Sequence, residues 1–281
     1  MILNLAYPEK SEIEFKISKF PDGQQTIDIQ SSVLTDSLLM KTVTIKSRLN
    51  NFKDLEIIIC ATQALRNMGA DTIHLYVPYF VGTRSDRKFQ EGGVNYLKQV
   101  ICPIINSQNF ASVSVMDPHS DVLEACLNNF AKINNFSLVD FALQNLNGRS
   151  AQTAIVSPDA GALKKIYDIA KEFNITNVTT ASKVRDIVSG KIVKTDVPGL
   201  FLSDIEHIII IDDICDGGRT FIELAKVIKE QTNISIYLIV THGIFSAGLD
   251  QLSDYIDGIF STNSVKDLTT MSGYLKQLNV F

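Results

Sequence analysis

"IIIIDDICDGGRTFIELA", residues 208–225, is the stretch whose reading decides the fold. Ile208 to Ile211 make an unbroken apolar run, the pattern of a strand covered on both faces, as in a parallel sheet. Asp212 and Asp213 follow at the C-terminal end of that run, the end at which ligands sit in open α/β sheets. Gly217 and Gly218 can take positive φ and let backbone N–H groups approach a ligand. The pattern turns helical near Arg219 or Thr220, with Phe221, Leu224, Ala225 and Ile228 on one face. A helix start with open N–H groups attracts anions, and Thr220 adds a hydroxyl. Phosphate donors thus stand beside carboxylates that suit ribose hydroxyls or a hydrated Mg²⁺. A plainer reading, a strand followed by a capped helix, accounts for Asp216 but leaves the Asp212–Asp213 pair without a role.

Working outward, strand-like and helix-like segments alternate along the whole chain, which predicts α/β architecture with a largely parallel sheet. Strands are expected at 41–49, 72–80 and 112–120. Helices are expected at 55–70 and at 94–108, the latter bent near Pro103. A second series follows: strand, turn and helix over 153–173, two strands flanking a loop with "SGK" at its turn over 177–197, and strand-loop-helix over 206–231. The segment 235–249 begins the same form again. The two series imply two domains, 1–145 and 146–281, and 281 residues at 45% hydrophobic content can fill two cores.

Composition narrows the class. A net charge of −5, with 20% charged residues in no long single-sign block, argues against a nucleic-acid-binding surface as the main business. Cys60, Cys102, Cys126 and Cys215 make no CxxC pair and fit no zinc spacing, so they read as free thiols of a reducing compartment. No signal peptide or membrane-length apolar run is present, and a cytoplasmic protein is expected.

The Asp-Asp, Asp, Gly-Gly, Thr arrangement resembles the phosphoribosyl-diphosphate loop of type I phosphoribosyltransferase folds. "FPDGQQTIDI" (20–29), "VPYFVGTRSDRK" (77–88), "VMDPHSD" (115–121) and "VSPDAGALKK" (156–165) resemble, in order and spacing, segments of the ribose-phosphate pyrophosphokinases, the phosphoribosyl-diphosphate synthetases. The resemblance implies two tandem phosphoribosyltransferase-like domains, each a mainly parallel sheet flanked by helices, in a homo-oligomer, dimer or hexamer. It implies transfer of the β,γ-diphosphate of ATP to the C1 hydroxyl of ribose 5-phosphate, with Mg²⁺ and release of AMP. By position, Asp212, Asp213, Asp216, Gly217, Gly218, Arg219 and Thr220 would bind the ribose phosphate. Phe20, Asp22, Gln24, Arg84, Ser85 and Asp86 would bind ATP, the first three by reaching into a neighbouring subunit. His119 and Asp159 would associate with the metal, and Lys183 and Arg185, with His119, would carry catalysis. Two basic residues at alternate positions of a strand face the same way.

The pattern also departs from the family. Gly217 stands where a threonine is usual, Arg219 is added, Gln24 replaces an acidic residue, Ser85 replaces a glutamine, and the N-terminal portion is short. A wider cup with an added arginine could take a ribose 5-phosphate that is itself esterified, as in ADP-ribose. That acceptor stays open beside ribose 5-phosphate. A phosphoribosyltransferase and a non-catalytic synthetase-associated subunit are the competing classes. His74, His207 and His242 read as structural, His242 as shaping a loop.

Overall fold

The computed structural model describes residues 1–30, 42–146, 150–185, 192–198, 203–268 and 273–281, without the side chains of 150, 183–185 and 192–195. The chain divides into two compact units, Met1–Asn134 with Val280–Phe281, and Asn135–Asn279. Among the described residues no helix is long and apolar enough to cross a membrane.

In the first unit, β1 (Ile2–Asn4) precedes a hairpin of β2 (Phe15–Lys19) and β3 (Gln25–Ile29). β4 (Thr42–Lys46), α1 (Phe52–Asn67) and β5 (Thr72–Tyr76) follow. Asn51 starts α1 by accepting from the N–H groups of Lys53 and Asp54. Gly69, at φ +87°, lies just past its end. A wide helical turn at Leu97–Ile101 then leads into α2 (Cys102–Asn106). Pro103 sits in the first turn of α2, and the wide turn that ends at Ile101 is the irregularity expected near it. β6 (Ser112–Met116), α3 (Val122–Cys126) and β7 (Phe130–Ile133) complete the unit. The main sheet is parallel in the order β1-β4-β5-β6-β7.

The second unit opens with α4 (Phe136–Asn145). The series β8 (Thr153–Ser157), α5 (Leu163–Glu172) and β9 (Asn177–Thr180) comes next. β10 (Ser182–Arg185) and β11 (Ile192–Asp196) pair antiparallel, so 177–197 holds one more strand than expected. The "SGK" turn lies outside the described residues. β12 (His207–Cys215), α6 (Arg219–Lys229), β13 (Ser235–Gly243), α7 (Asp250–Ser253), β14 (Gly258–Thr262) and β15 (Leu275–Leu278) finish it.

This sheet runs β15-β14-β13-β12-β8-β9, all parallel. The isoleucine run of β12 is fully buried because alternate side chains enter different cores. Ile208 and Ile210 join Phe221, Leu224, Ala225 and Ile228 of α6. Ile209 and Ile211 join Leu138, Val139 and Ala142 of α4 and Ile166 and Ile169 of α5. The same packing places α4 in the second compact unit, which begins at Asn135.

Candidate active site

The sheet of the second unit changes direction between β8 and β12. β8 leads through α5 to β9 on one side, and β12 leads through α6 to β13 on the other, with α5 and α6 in the cores of opposite faces. A crevice opens at the C-terminal ends of two strands whose connections part in this way. The candidate site of the second unit lies there.

β12 overhangs this crevice. Its pairing to β8 ends at Ile210↔Val156, while its pairing to β13 continues to Cys215↔Gly243. Asp212 and Asp213 therefore belong to the strand itself rather than to a loop after it, and the backbone fixes both. Asp213 is buried, and its N–H donates to Asp212 Oδ1 at 2.9 Å. Lys165 Nζ, from the first turn of α5, lies 4.0 Å from Asp213 Oδ1. Burial, then the negative charge of Asp213, pushes the Asp212 carboxyl up to about 8, with Lys165 opposing the rise. The pair therefore holds a proton that an arriving cation would displace, and its oxygens can accept from a hydroxyl donor.

Next comes the glycine loop. Gly218 precedes α6 with φ +78°, and a Cβ there would come within 3.0 Å of the Leu252 side chain. A glycine at the head of α6 offers no capping side chain, unlike the plain capped helix. The exposed Gly217 leaves room: a Cβ there would meet nothing nearer than Ser246 Oγ at 3.9 Å. Arg219 is exposed and Thr220 half-buried in the first turn. Asp216 Oδ1 accepts from Ser246 Oγ at 2.6 Å. The buried Cys215 thiol is pushed up to about 12 by burial and the nearby Asp212 and Asp216, so it stays protonated and is no nucleophile.

Across the crevice, Asp159 follows β8. Its Oδ1 accepts from the N–H groups of Gly161 and Ala162 at 3.0 and 3.3 Å, which starts the helical turn before α5. Asp159 therefore caps this turn. Asp159, Lys165, Asp212, Asp213 and the 216–220 loop thus share the C-terminal edge of β8 and β12.

The other expected residues are distributed more widely. Phe20, Asp22 and Gln24 form the tip of the β2–β3 hairpin. Phe20 is half exposed, and Asp22 Oδ1 accepts from Gln24 N–H at 3.1 Å. Arg84, Ser85 and Asp86 follow Phe80 in a turn closed by Ser85 N–H donating to Gly82 O. Arg84 is exposed, and Asp86 pairs with Arg87 at 3.2 Å. His119 is exposed two residues after the buried Asp117, whose φ is +45°. The backbone of Lys183 and Arg185 lies in β10, with a register shift after Val184; their side chains lie outside the described residues. Among the described residues no three His, Cys, Asp or Glu side chains gather as a cation cage.

His74 bonds Ser112 across the sheet, and the buried His242 bonds Ser264, in keeping with structural roles. Two contacts carried no signal in the pattern. Lys165 sits within "VSPDAGALKK" and Ser246 within "THGIFS", but the partners of both are remote in sequence.

A family model described as the phosphoribosyl synthetase-associated domain matches residues 170–278. The chain is 26% identical over 262 residues to the ribose-phosphate pyrophosphokinase of Mycoplasmopsis pulmonis, covering 92% of this chain and 78% of that protein. It is 25% identical over 261 residues to the protein of the same name from Sulfolobus acidocaldarius, covering 92% and 86%. The crystal structure of phosphoribosylpyrophosphate synthetase from Mycobacterium smegmatis shares the fold, with a TM-score of 0.77 at 15% identity over 97% of this chain and 88% of that one. The chain is thus similar over most of its length to ribose-phosphate pyrophosphokinases, and it shares the fold of a phosphoribosylpyrophosphate synthetase.

Proposed function

We propose that this chain is a ribose-phosphate pyrophosphokinase, which transfers the β,γ-diphosphate of ATP to the C1 hydroxyl of ribose 5-phosphate, giving phosphoribosyl diphosphate and AMP. The observation that carries the reading is the carboxylate pair of Asp212 and Asp213 beside a glycine-opened loop, at the crevice between β8 and β12. The backbone N–H groups of 217–220 and the Thr220 hydroxyl receive the 5-phosphate. Asp212, Asp213 and Asp216 accept from the ribose hydroxyls and orient C1.

The reaction forms a bond from the C1 oxygen to the β-phosphorus and breaks the bond from that phosphorus to the bridging oxygen, which leaves on AMP. Such transfers depend on alignment and charge neutralisation rather than on covalent chemistry by the protein. Lys183 and Arg185 neutralise the transferred group. Arg84, Ser85 and Asp86, with Phe20, Asp22 and Gln24, hold the nucleotide. The hard carboxylate oxygens at this strand edge fit Mg²⁺, which takes one or two carboxylates and completes its shell with phosphate oxygens and water. By the resemblance, Asp159 and His119 would associate with it. When bound, the ion supplies further charge neutralisation on the diphosphate. The protein works as a homo-oligomer, dimer or hexamer.

The open space beside Gly217 and the exposed Arg219 favour a second acceptor, ADP-ribose, whose 5-phosphate is esterified and whose terminal ribose keeps a free C1 hydroxyl. One assay tests both: AMP release from Mg-ATP with each acceptor in parallel, with product masses. A diphosphorylated ribose 5-phosphate is expected. Reaction with ADP-ribose alone reassigns the acceptor, and AMP release with neither overturns the reading.

A further inference from the structure

The segment after β13 wraps the glycine loop by contacts that the 208–225 stretch alone does not reveal. Ile244 and Phe245 N–H both donate to Cys215 O, at 2.9 and 3.1 Å, and Ser246 N–H donates to Asp216 O at 3.1 Å. Ser246 Oγ then donates to Asp216 Oδ1 at 2.6 Å, so one residue holds both the carbonyl and the carboxylate of Asp216. The geometry is tightly determined. Phe245 is buried at φ +45°, a conformation a bulky side chain adopts only under constraint. Its ring occupies the space a side chain at Gly243 would need, with a Cβ there 2.2 Å from the ring. Ser246 is thereby presented at the surface, next to the space beside Gly217.

We infer that Ser246 is a positioning residue for the sugar-phosphate substrate, fixing the Asp216 carboxylate against the loop from the segment that follows β13. The inference rests on the proposed reading of 212–220 as the sugar-phosphate site. A serine hydroxyl has one hydrogen, and here it goes to Asp216; its lone pairs remain able to accept from a ligand hydroxyl. The bond is short and made to a carboxylate, the stronger class of hydrogen bond. With it in place, Asp216 meets the substrate already oriented; without it, binding must also restrict that side chain.

The test uses the full-length protein as Ser246→Ala and Ser246→Thr. Ser246→Ala is expected to raise KM for the sugar phosphate about tenfold. KM for ATP, kcat and the thermal midpoint stay near wild type, and Ser246→Thr returns KM toward wild type. An unchanged sugar-phosphate KM overturns the inference, and so does a loss of kcat and thermal midpoint at constant KM. If the wild type releases AMP with neither acceptor, the functional reading has failed independently. Calorimetric titration of wild type and Ser246→Ala with ribose 5-phosphate then decides the point. Weaker binding by the variant supports the inference, and equal binding, including none by either protein, overturns it.

Discussion

The C-terminal end of β6 in the first unit and that of β12 in the second carry comparable residues and use them differently. β6 runs into Asp117, Pro118 and His119, and β12 runs through Asp212 and Asp213 into a glycine loop. In the first unit, the strands advance from β4 to β7 in one direction, and Asp117 turns the chain at positive φ with its N–H on Ile133 O. In the second unit the order reverses between β8 and β12, so two strand ends and their helices part around a crevice. The reversal of strand order gives the end of β12 a crevice, whereas at the end of β6 Asp117 turns the chain and leaves His119 exposed.

The sharpest way to break this comparison is at the carboxylates. Asp213→Asn is expected to lower kcat/KM for the sugar phosphate about 10³-fold, because it removes a preorganised charge from the crevice. AMP release in a coupled assay measures it, and activity within a few-fold of wild type would refute the assignment. His119→Ala tests the other strand end. A fall in kcat of about 10²-fold with an unchanged thermal midpoint is expected, since the ring is exposed. A variant that loses stability but not rate would show that His119 only shapes the turn.

Gly218→Ala sharpens the role of the loop. At φ +78° and 3.0 Å from Leu252, an added methyl should cost about 1–3 kcal/mol of stability. Denaturant unfolding reads this directly, and an unchanged midpoint would mean the loop is not held as described.

The smallest expected effect is pH-dependent. Asp212, raised to about 8, binds a proton in the folded state that the unfolded chain releases near the ordinary carboxylate range. Its contribution to stability is therefore present at low pH and is lost as pH rises toward and through about 8. Asp212→Asn lacks this loss. In metal-free buffer its melting temperature should gain on wild type from about pH 4 to about pH 8, by a few degrees. A difference that is flat or of opposite slope would count against the buried carboxylate pair.

The isoleucine run of β12, the alternation of strands and helices, and the paired aspartates before a glycine loop were all legible in the sequence. Each is local: burial on both faces requires a continuous apolar strand, and only glycine reaches φ +78° without strain. The unit that claims α4 was not legible. Leu138, Val139 and Ala142 announce a buried face but not its partner, and only packing against β12 and β13 assigns it. The same holds for Lys165 beside Asp213 and Ser246 on Asp216. Ser246 and Asp216 stand 30 residues apart and meet because β13 lies in register with β12. Periodicity and turn chemistry act over a few residues, so the sequence by itself determined the elements and the residue types of the crevice. Which distant side chains hold those residues in place depends on strand order and register, and these were decided only by the tertiary structure.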